Sequence, residues 1–202
     1  MNILRWGWTR PCNLHPYHWL ATAPGELLDP AMAEVLSEAF PTESFVRAQA
    51  GAHSIKDYRN YSRPLTTTSI GDLSPQWRAL IDDLCSLDYR RAVAQVLGQA
   101  TIADRVELRL VRHGITDFLG PHTDRCDKIF SHIIYFNPDW DDEWGGHFEI
   151  LDGDMAVVTR IRPVCGASVL LGRSDHSWHQ VACVRDVAAS ERRSLLVHGR
   201  RG

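Results

Sequence analysis

The stretch 118-FLGPHTDRCDKIFSHIIYFNPDW-140 sets a histidine and an aspartate two residues apart, His122 and Asp124, ahead of an apolar run of period-two character that ends in an Asn-Pro turn. Residues at i and i+2 share one face of an extended chain. A helical bundle has no use for that spacing. A strand that carries a metal at its end does.

Outward from this segment the chain changes texture near residue 103. After it come eight short segments of β character: 105–112, 118–122, 129–136, 146–151, 155–160, 167–171, 178–184 and 192–198. Turn chemistry separates them at Asn137-Pro138, Gly145-Gly146, Asp152-Gly153 and Pro163 to Gly166. Eight short strands at this spacing predict a sandwich or jelly roll. Before residue 103, helical patterns dominate. Residues 30–39 carry Asp29 as cap and Pro30 at the first helical position; residues 74–87 repeat the device with Ser74 and Pro75. In the second helix Trp77, Leu80, Ile81 and Leu84 share one face. Residues 88–98 read as a third helix, capped by Asp88 and stopped by Gly98. The expected arrangement is one domain over 1–202, with 1–103 an arm and helical buttress and 104–199 the β core.

Composition narrows the class. The net charge of -3 gives no footprint for nucleic acid. No run of 18 apolar residues predicts a membrane span, and residues 1–10 lack the apolar core of a signal peptide, so a cytoplasmic protein is expected. Five cysteines without a C-x-x-C pair read as free thiols in a reducing compartment.

A further histidine, His179, follows Asp124 by 55 residues, with His176 three positions before it. Two histidines and a carboxylate on a rigid β scaffold, with open coordination positions, make the facial triad of non-heme Fe(II) oxygenases. The spacing alone does not choose between His176 and His179.

The surrounding text resembles the Fe(II)/2-oxoglutarate-dependent dioxygenases of the prolyl-4-hydroxylase-like branch, over residues 105–198. The segments that carry the resemblance are GITDFLGPHTD, DKIFSHIIYFNPDWDDEWGGHFEI, IRPVCGASVLLGRSDHSWHQV and ERRSLLV. It implies a double-stranded β-helix of eight core strands. It selects His179, in the W-H-x-V position, and so implies Fe(II) held by His122, Asp124 and His179, with His176 in a loop at the mouth. It implies 2-oxoglutarate as cosubstrate and O₂ as oxidant, with succinate and CO₂ as coproducts. Arg192 and Ser194 match the R-x-S pattern that anchors the far carboxylate, joined by the Tyr135 hydroxyl; Arg193 then faces outward. Phe148 packs on the cosubstrate. His113 stands where many relatives have a tyrosine, and either hydrogen-bonds the cosubstrate or substrate or is a strand-end histidine. Asp124 occupies the position that related halogenases leave without a carboxylate, so hydroxylation or another C–H oxidation is implied.

Other residues take bland readings. His132 and His147 point away from the iron, and His198 packs. Cys126 and Cys183 flank the metal strands without acting as ligands. Trp77 is core, and Trp140, Trp144 and Trp178 are structural. Trp6, Trp8 and Trp19 form either a flap over the mouth or, as the favoured reading, an arm across the barrel exterior. Residues 53–70 form a loop or strand near the mouth, where Arg59, Arg63 and Arg173 are substrate clamps or surface charges. The expected partner is a small molecule, an amino acid or natural-product intermediate. Alternatives are a prolyl or other residue of a protein, or a cupin-like metal-binding barrel without 2-oxoglutarate. Oligomeric state is left open.

Overall fold

A computed structural model describes residues 3–5, 8, 10–51 and 56–202. Eight strands follow residue 103, as expected: β4 (Arg105–His113), β5 (Phe118–His122), β6 (Lys128–Tyr135), β7 (Phe148–Leu151), β8 (Val157–Ile161), β9 (Ser168–Gly172), β10 (His179–Val181) and β11 (Arg192–Arg200). Three more precede them: β1 (Trp19–Thr22), β2 (Val46–Ala50) and β3 (Tyr58–Leu65). The N-terminal half is therefore not only a helical buttress. The sheet runs β1-β9-β6-β11-β4-β3-β5-β10-β7-β8, with β2 on β3. The path β9-β6-β11-β4 forms one wall of a jelly roll and β5-β10-β7-β8 the other. β3 links the walls, pairing with both β4 and β5.

Two cores result. One lies inside the barrel, around Ile133, Tyr135, Phe148, Ile150, Val169 and Val181. Tyr17, from the N-terminal arm, joins it and donates its hydroxyl to Trp178 O at 2.8 Å. The other lies between the long wall and the helices α1 (Pro30–Glu38), α2 (Pro75–Cys85) and α3 (Leu87–Val96), around Trp77, Leu80, Leu84, Tyr89 and Phe130. Because helices cover one side of β6 and the barrel interior the other, all eight of its residues are buried.

The helix ends follow the sequence signals with one correction. Asp29 and Ser74 cap α1 and α2, accepting from Ala31 N at 3.0 Å and Trp77 N at 3.3 Å. The cap of α3 is Ser86, which accepts from Tyr89 N at 3.1 Å; Asp88 sits inside the first turn. Ser86 both ends α2 and starts α3, leaving no linker to reveal it. Gly98, at φ +62°, closes α3 with the bonds Gly98 N to Gln95 O and Gln99 N to Ala94 O.

Trp8 packs edge-on to Tyr89 and His132, and Trp19 lies in β1 beside β9, so these two tryptophans run along the barrel. Trp6 lies outside the described residues. Trp140 is buried, donates Nε1–H to Gly145 O at 2.9 Å, and meets Trp144 edge to face.

His132 faces the helices, fully buried between the Tyr89 hydroxyl and Ser168 Oγ, each 2.9 Å away. Burial lowers its pKa from 6.5 to about 3. The unfolded chain then binds the extra proton between these values, so stability falls as pH drops below 6.5. Between pH 8 and pH 5 this one group should remove about 2 kcal/mol. Urea unfolding at the two pH values measures it. A His132→Leu variant should start less stable, having removed a partner of two hydroxyls, yet lose less on acidification. An undiminished loss would place the titration elsewhere.

Candidate active site

Register brings distant residues together. β5 and β10 are antiparallel neighbours, and His122 stands directly opposite His179. Their ring centres are 4.2 Å apart. Asp124 lies just beyond the end of β5. One donor atom from each of the three falls within 4.8 Å of the others, and all three residues are buried. This is the one such group of metal donors among the described residues. His176 is exposed in the preceding loop.

Hydrogen bonding suits the group for a metal. His122 Nδ1 lies 2.9 Å from Gly120 O and His179 Nδ1 2.8 Å from Ser177 O. A carbonyl can only accept, so each Nδ1 carries the proton and each Nε2 keeps a free lone pair. Burial, then mutual repulsion with His179, holds His122 well below the usual histidine range, so it is neutral. At Asp124, burial raises the pKa, but His179 and Lys128 and then His198 outweigh it; the carboxyl is held well below its usual range. Its two oxygens take bonds from Lys128 Nζ and Ser131 Oγ, both at 2.6 Å.

A chamber of about 120 Å³ adjoins this group. Phe148 lines it and stacks on His179, ring centres 5.3 Å apart. Arg192 forms another part of the wall. It pairs across β11–β4 with His113, while Ser194 pairs across β11–β6 with Tyr135. The four residues thus share a corner. The guanidinium is 1% exposed; its Nε donates to Gly146 O at 2.8 Å and one Nη to Ser194 Oγ at 3.3 Å. That carbonyl is delivered by a Gly145-Gly146 turn with φ of +69° and +64°, which a side chain would strain. A Cβ at Gly146 would also meet Trp140 at 2.9 Å.

The other Nη of Arg192, the Tyr135 hydroxyl and His113 Nε2 are buried without a hydrogen-bond partner. Tyr135 sits behind Arg192, its ring centre 5.0 Å from the guanidinium carbon. Burial, eased by Arg192, pushes the Tyr135 pKa up to about 12, so the hydroxyl stays a donor. Arg192 thus brings an unpaired donor to the wall of the chamber that the metal-ready triad also lines, with the Tyr135 hydroxyl beside it, and this suits a molecule that carries a carboxylate. Arg193 turns the other way and lies over Phe40.

Residues 108–198 match the family described as the 2OG-Fe(II) oxygenase superfamily. Over that segment the chain is similar to that superfamily. That family uses Fe(II), 2-oxoglutarate and O₂, and this chain carries a donor set that fits the iron. Its fold resembles a Pseudomonas putida prolyl-4-hydroxylase, at 20% identity and TM-score 0.65, over 91% of this chain and 92% of that one. It also resembles a Trichoplax adhaerens prolyl hydroxylase in complex with a hypoxia inducible factor peptide fragment, at 15% and 0.67, over 90% and 83%. A third likeness is to SnoN, an alpha ketoglutarate dependent epimerase from nogalamycin biosynthesis, at 16% and 0.53, over 91% and 81%. No curated protein matches the sequence. No helix among the described residues is long and apolar enough to cross a membrane.

The structure settles where several other residues of the sequence analysis lie. His198 is not simple packing: it lines the chamber and feels Asp124. Arg63 is no substrate clamp; it is 3% exposed and bound to Asp72 at 2.7 Å and Ser69 O at 2.8 Å. Arg59 lies over Phe118. Arg173 donates to Asp124 O at 3.3 Å and pairs with Asp175. His147 faces a cleft on the outer side of β7 and β8 and bonds Asp142 at 3.1 Å. Sequence reasoning missed Lys56, Asn60 and Lys128, all on the chamber wall. Lys56 and Asn60 lie outside the motif text, and Lys128, though within it, is a lone lysine of the kind that ordinarily reads as solvated.

Proposed function

We propose that this protein hydroxylates an unactivated C–H bond of a small molecule, an amino acid or natural-product intermediate, with succinate and CO₂ as coproducts. The observation that carries this reading is one chamber lined by both the His122–Asp124–His179 group and Arg192, whose second Nη and neighbouring Tyr135 hydroxyl are unpaired. Fe(II), bound with 2-oxoglutarate and O₂, would supply the oxidising power. The protein's own contributions are positional. Gly120 O and Ser177 O fix the imidazole tautomers, and Arg192 with Tyr135 would hold the far carboxylate of 2-oxoglutarate. Phe148 keeps the chamber dry on the His179 side. His113, whose buried Nε2 lies unpaired at the Arg192 corner, would meet the cosubstrate or substrate there.

A second reading, hydroxylation of a prolyl or other residue in a protein, draws support from the fold likeness to prolyl hydroxylases. The likeness to an epimerase of a biosynthetic pathway supports the small-molecule reading equally in kind. Succinate release, screened with metabolites and with proline-containing peptides on the Fe(II)-loaded protein, separates them. Product mass tests the reaction type. Asp124 fills the position that a halide would need, so the product should gain oxygen or lose hydrogen even in chloride buffer. A chlorinated main product would contradict the role given to Asp124.

A further inference from the structure

The chain has 22 basic residues, of which only Lys56 and Lys128 are lysines. Both converge on one carboxylate oxygen. Lys128 Nζ is 2.6 Å from Asp124 Oδ1, and Lys56 Nζ is 3.6 Å from the same atom. They arrive from separate places in the fold: Lys56 just before β3, Lys128 at the first position of β6. Their side chains are only 24% and 7% exposed.

Two ammonium groups share a carboxylate that has one negative charge. Like charges held close in a poorly solvated place repel, and the repulsion grows as the local dielectric falls. A divalent metal on Asp124 would draw its charge further from the lysines. In the proposed reading the two carboxylates of 2-oxoglutarate are already placed, one at the metal and one at Arg192. The next anion must come from elsewhere.

The shape of the site says where. The chamber, at about 120 Å³, is close to the ~150 Å³ of an engineered cavity that holds a single benzene. It has room for one small molecule, the cosubstrate. A groove of about 610 Å³ continues from it between β3, β4 and β11. Lys56, Lys128, Asn60 and His198 line both spaces and so form the neck between them. Val111 and Leu196 give that neck an apolar side. The groove further presents Arg109, Arg125 and Arg200, against Glu107 as the one acidic lining residue among the described residues. Asp127 and Glu107 neutralise Arg200, and Asp127 also meets Arg125. Arg109 bonds the neutral Ser62 Oγ at 3.0 Å. This positive surface stands out because the whole chain has a net charge of -3.

We propose that the groove takes a substrate with an acidic group, a carboxylate or phosphate, held between Lys56 and Lys128 at the neck, with an apolar body against Val111 and Leu196. The inference rests on the oxygenase reading of the chamber. Lysine suits this position because a compact charge on a flexible stem follows an anion that moves with the substrate, where the planar fork of arginine would fix one geometry.

Two lysines in the chain make the test direct. Reductive methylation with carbon-13 formaldehyde labels both, and a Lys56→Arg variant assigns their NMR signals. The full chain is loaded with Zn(II) and saturating 2-oxoglutarate. It is then titrated with straight-chain carboxylates from propanoate to octanoate, the matching amides, and alkyl phosphates. Both lysine signals should shift saturably with at least one acid series and not with the amides. Lys56→Gln should weaken that acid about tenfold or more, with the Lys128 signal reporting that the site is intact. Amides acting as well as acids would overturn the proposal, as would a panel in which no acid moves either signal. So would signals that 2-oxoglutarate alone moves and no acid moves further, since the cosubstrate would then be the anion held. The charge-transfer absorbance of 2-oxoglutarate on the Fe(II) protein is recorded separately. Its absence would sink the oxygenase reading itself; its presence without acid selectivity would sink only the lysine proposal.

Discussion

A His179→Ala substitution is expected to lower Fe(II) affinity by about 100-fold or more, while His176→Ala leaves it unchanged. Removing a group that merely orients a metal ligand already costs about 10- to 100-fold, so loss of a donor should meet or exceed the upper end. His179 faces His122 across the β5–β10 pair, with its Nδ1 proton spent on Ser177 O. No other described histidine joins His122 and Asp124 in a set of metal donors. His176 lies exposed in the loop before β10. The measurement is anaerobic titration of each variant with Fe(II), with circular dichroism to show that the fold persists. His179 is buried against Phe148, so His179→Gln serves as a second variant that keeps most of the volume. Full affinity in both His179 variants would remove His179 from the site and return the choice to His176.

The eight strands of the barrel were legible because each is a short β-rich run closed by its own turn. In the N-terminal half β1 and β2 were not, and β3 was read only as a loop or strand within 53–70, for separate reasons. β1 has four residues, too few for a period to declare itself. β2, VRAQA, is largely exposed, and the face made by Val46, Ala48 and Ala50 is too small and too short to stand out. β3, YRNYSRPL, carries Pro64, which argues against a strand in sequence, yet tertiary pairing with β4 and β5 holds it there. The metal candidates stood out through the H-x-D spacing, but the partner histidine needed the family text, since 55 residues of chain carry no distance information. The two lysines could not be found this way at all. Lys56 and Lys128 are 72 positions apart, and only the closure of β3 onto β4 and β5 sets the approach of one toward the other. His198 was misplaced for a related reason: in β11 it shares a face with Arg192 and Ser194, and that face is the chamber wall.

Alternation along the same strand decides the cosubstrate anchor. Arg192 and Arg193 are neighbours, so β11 sends them to opposite sides. Arg192 points inward, pairing with His113 in register, buried and with one Nη unsatisfied. Arg193 lies over Phe40 on the helix side. A guanidinium buried this deeply carries a desolvation cost that only an anion relieves fully, and none of its bonds within the chain is to a carboxylate: they go to Gly146 O, Ser194 Oγ and the His113 ring. Truncating one partner of such a pair costs about 2–5 kcal/mol, and each 1.4 kcal/mol or so is tenfold in affinity. Arg192→Ala should therefore weaken 2-oxoglutarate by roughly 30- to 3,000-fold, with Fe(II) binding largely retained because no metal donor is touched. Tyr135→Phe, which removes one unpaired hydroxyl and keeps the ring under the guanidinium, should act in the same direction and more mildly. Arg193→Ala should leave 2-oxoglutarate affinity unchanged. Titration of the Fe(II) protein with 2-oxoglutarate, followed by charge-transfer absorbance, compares the three. Sensitivity at Arg193 in place of Arg192 would mean that β11 is shifted by one residue against β4. Insensitivity at both would remove 2-oxoglutarate from this corner and favour a metal-binding barrel that works without it.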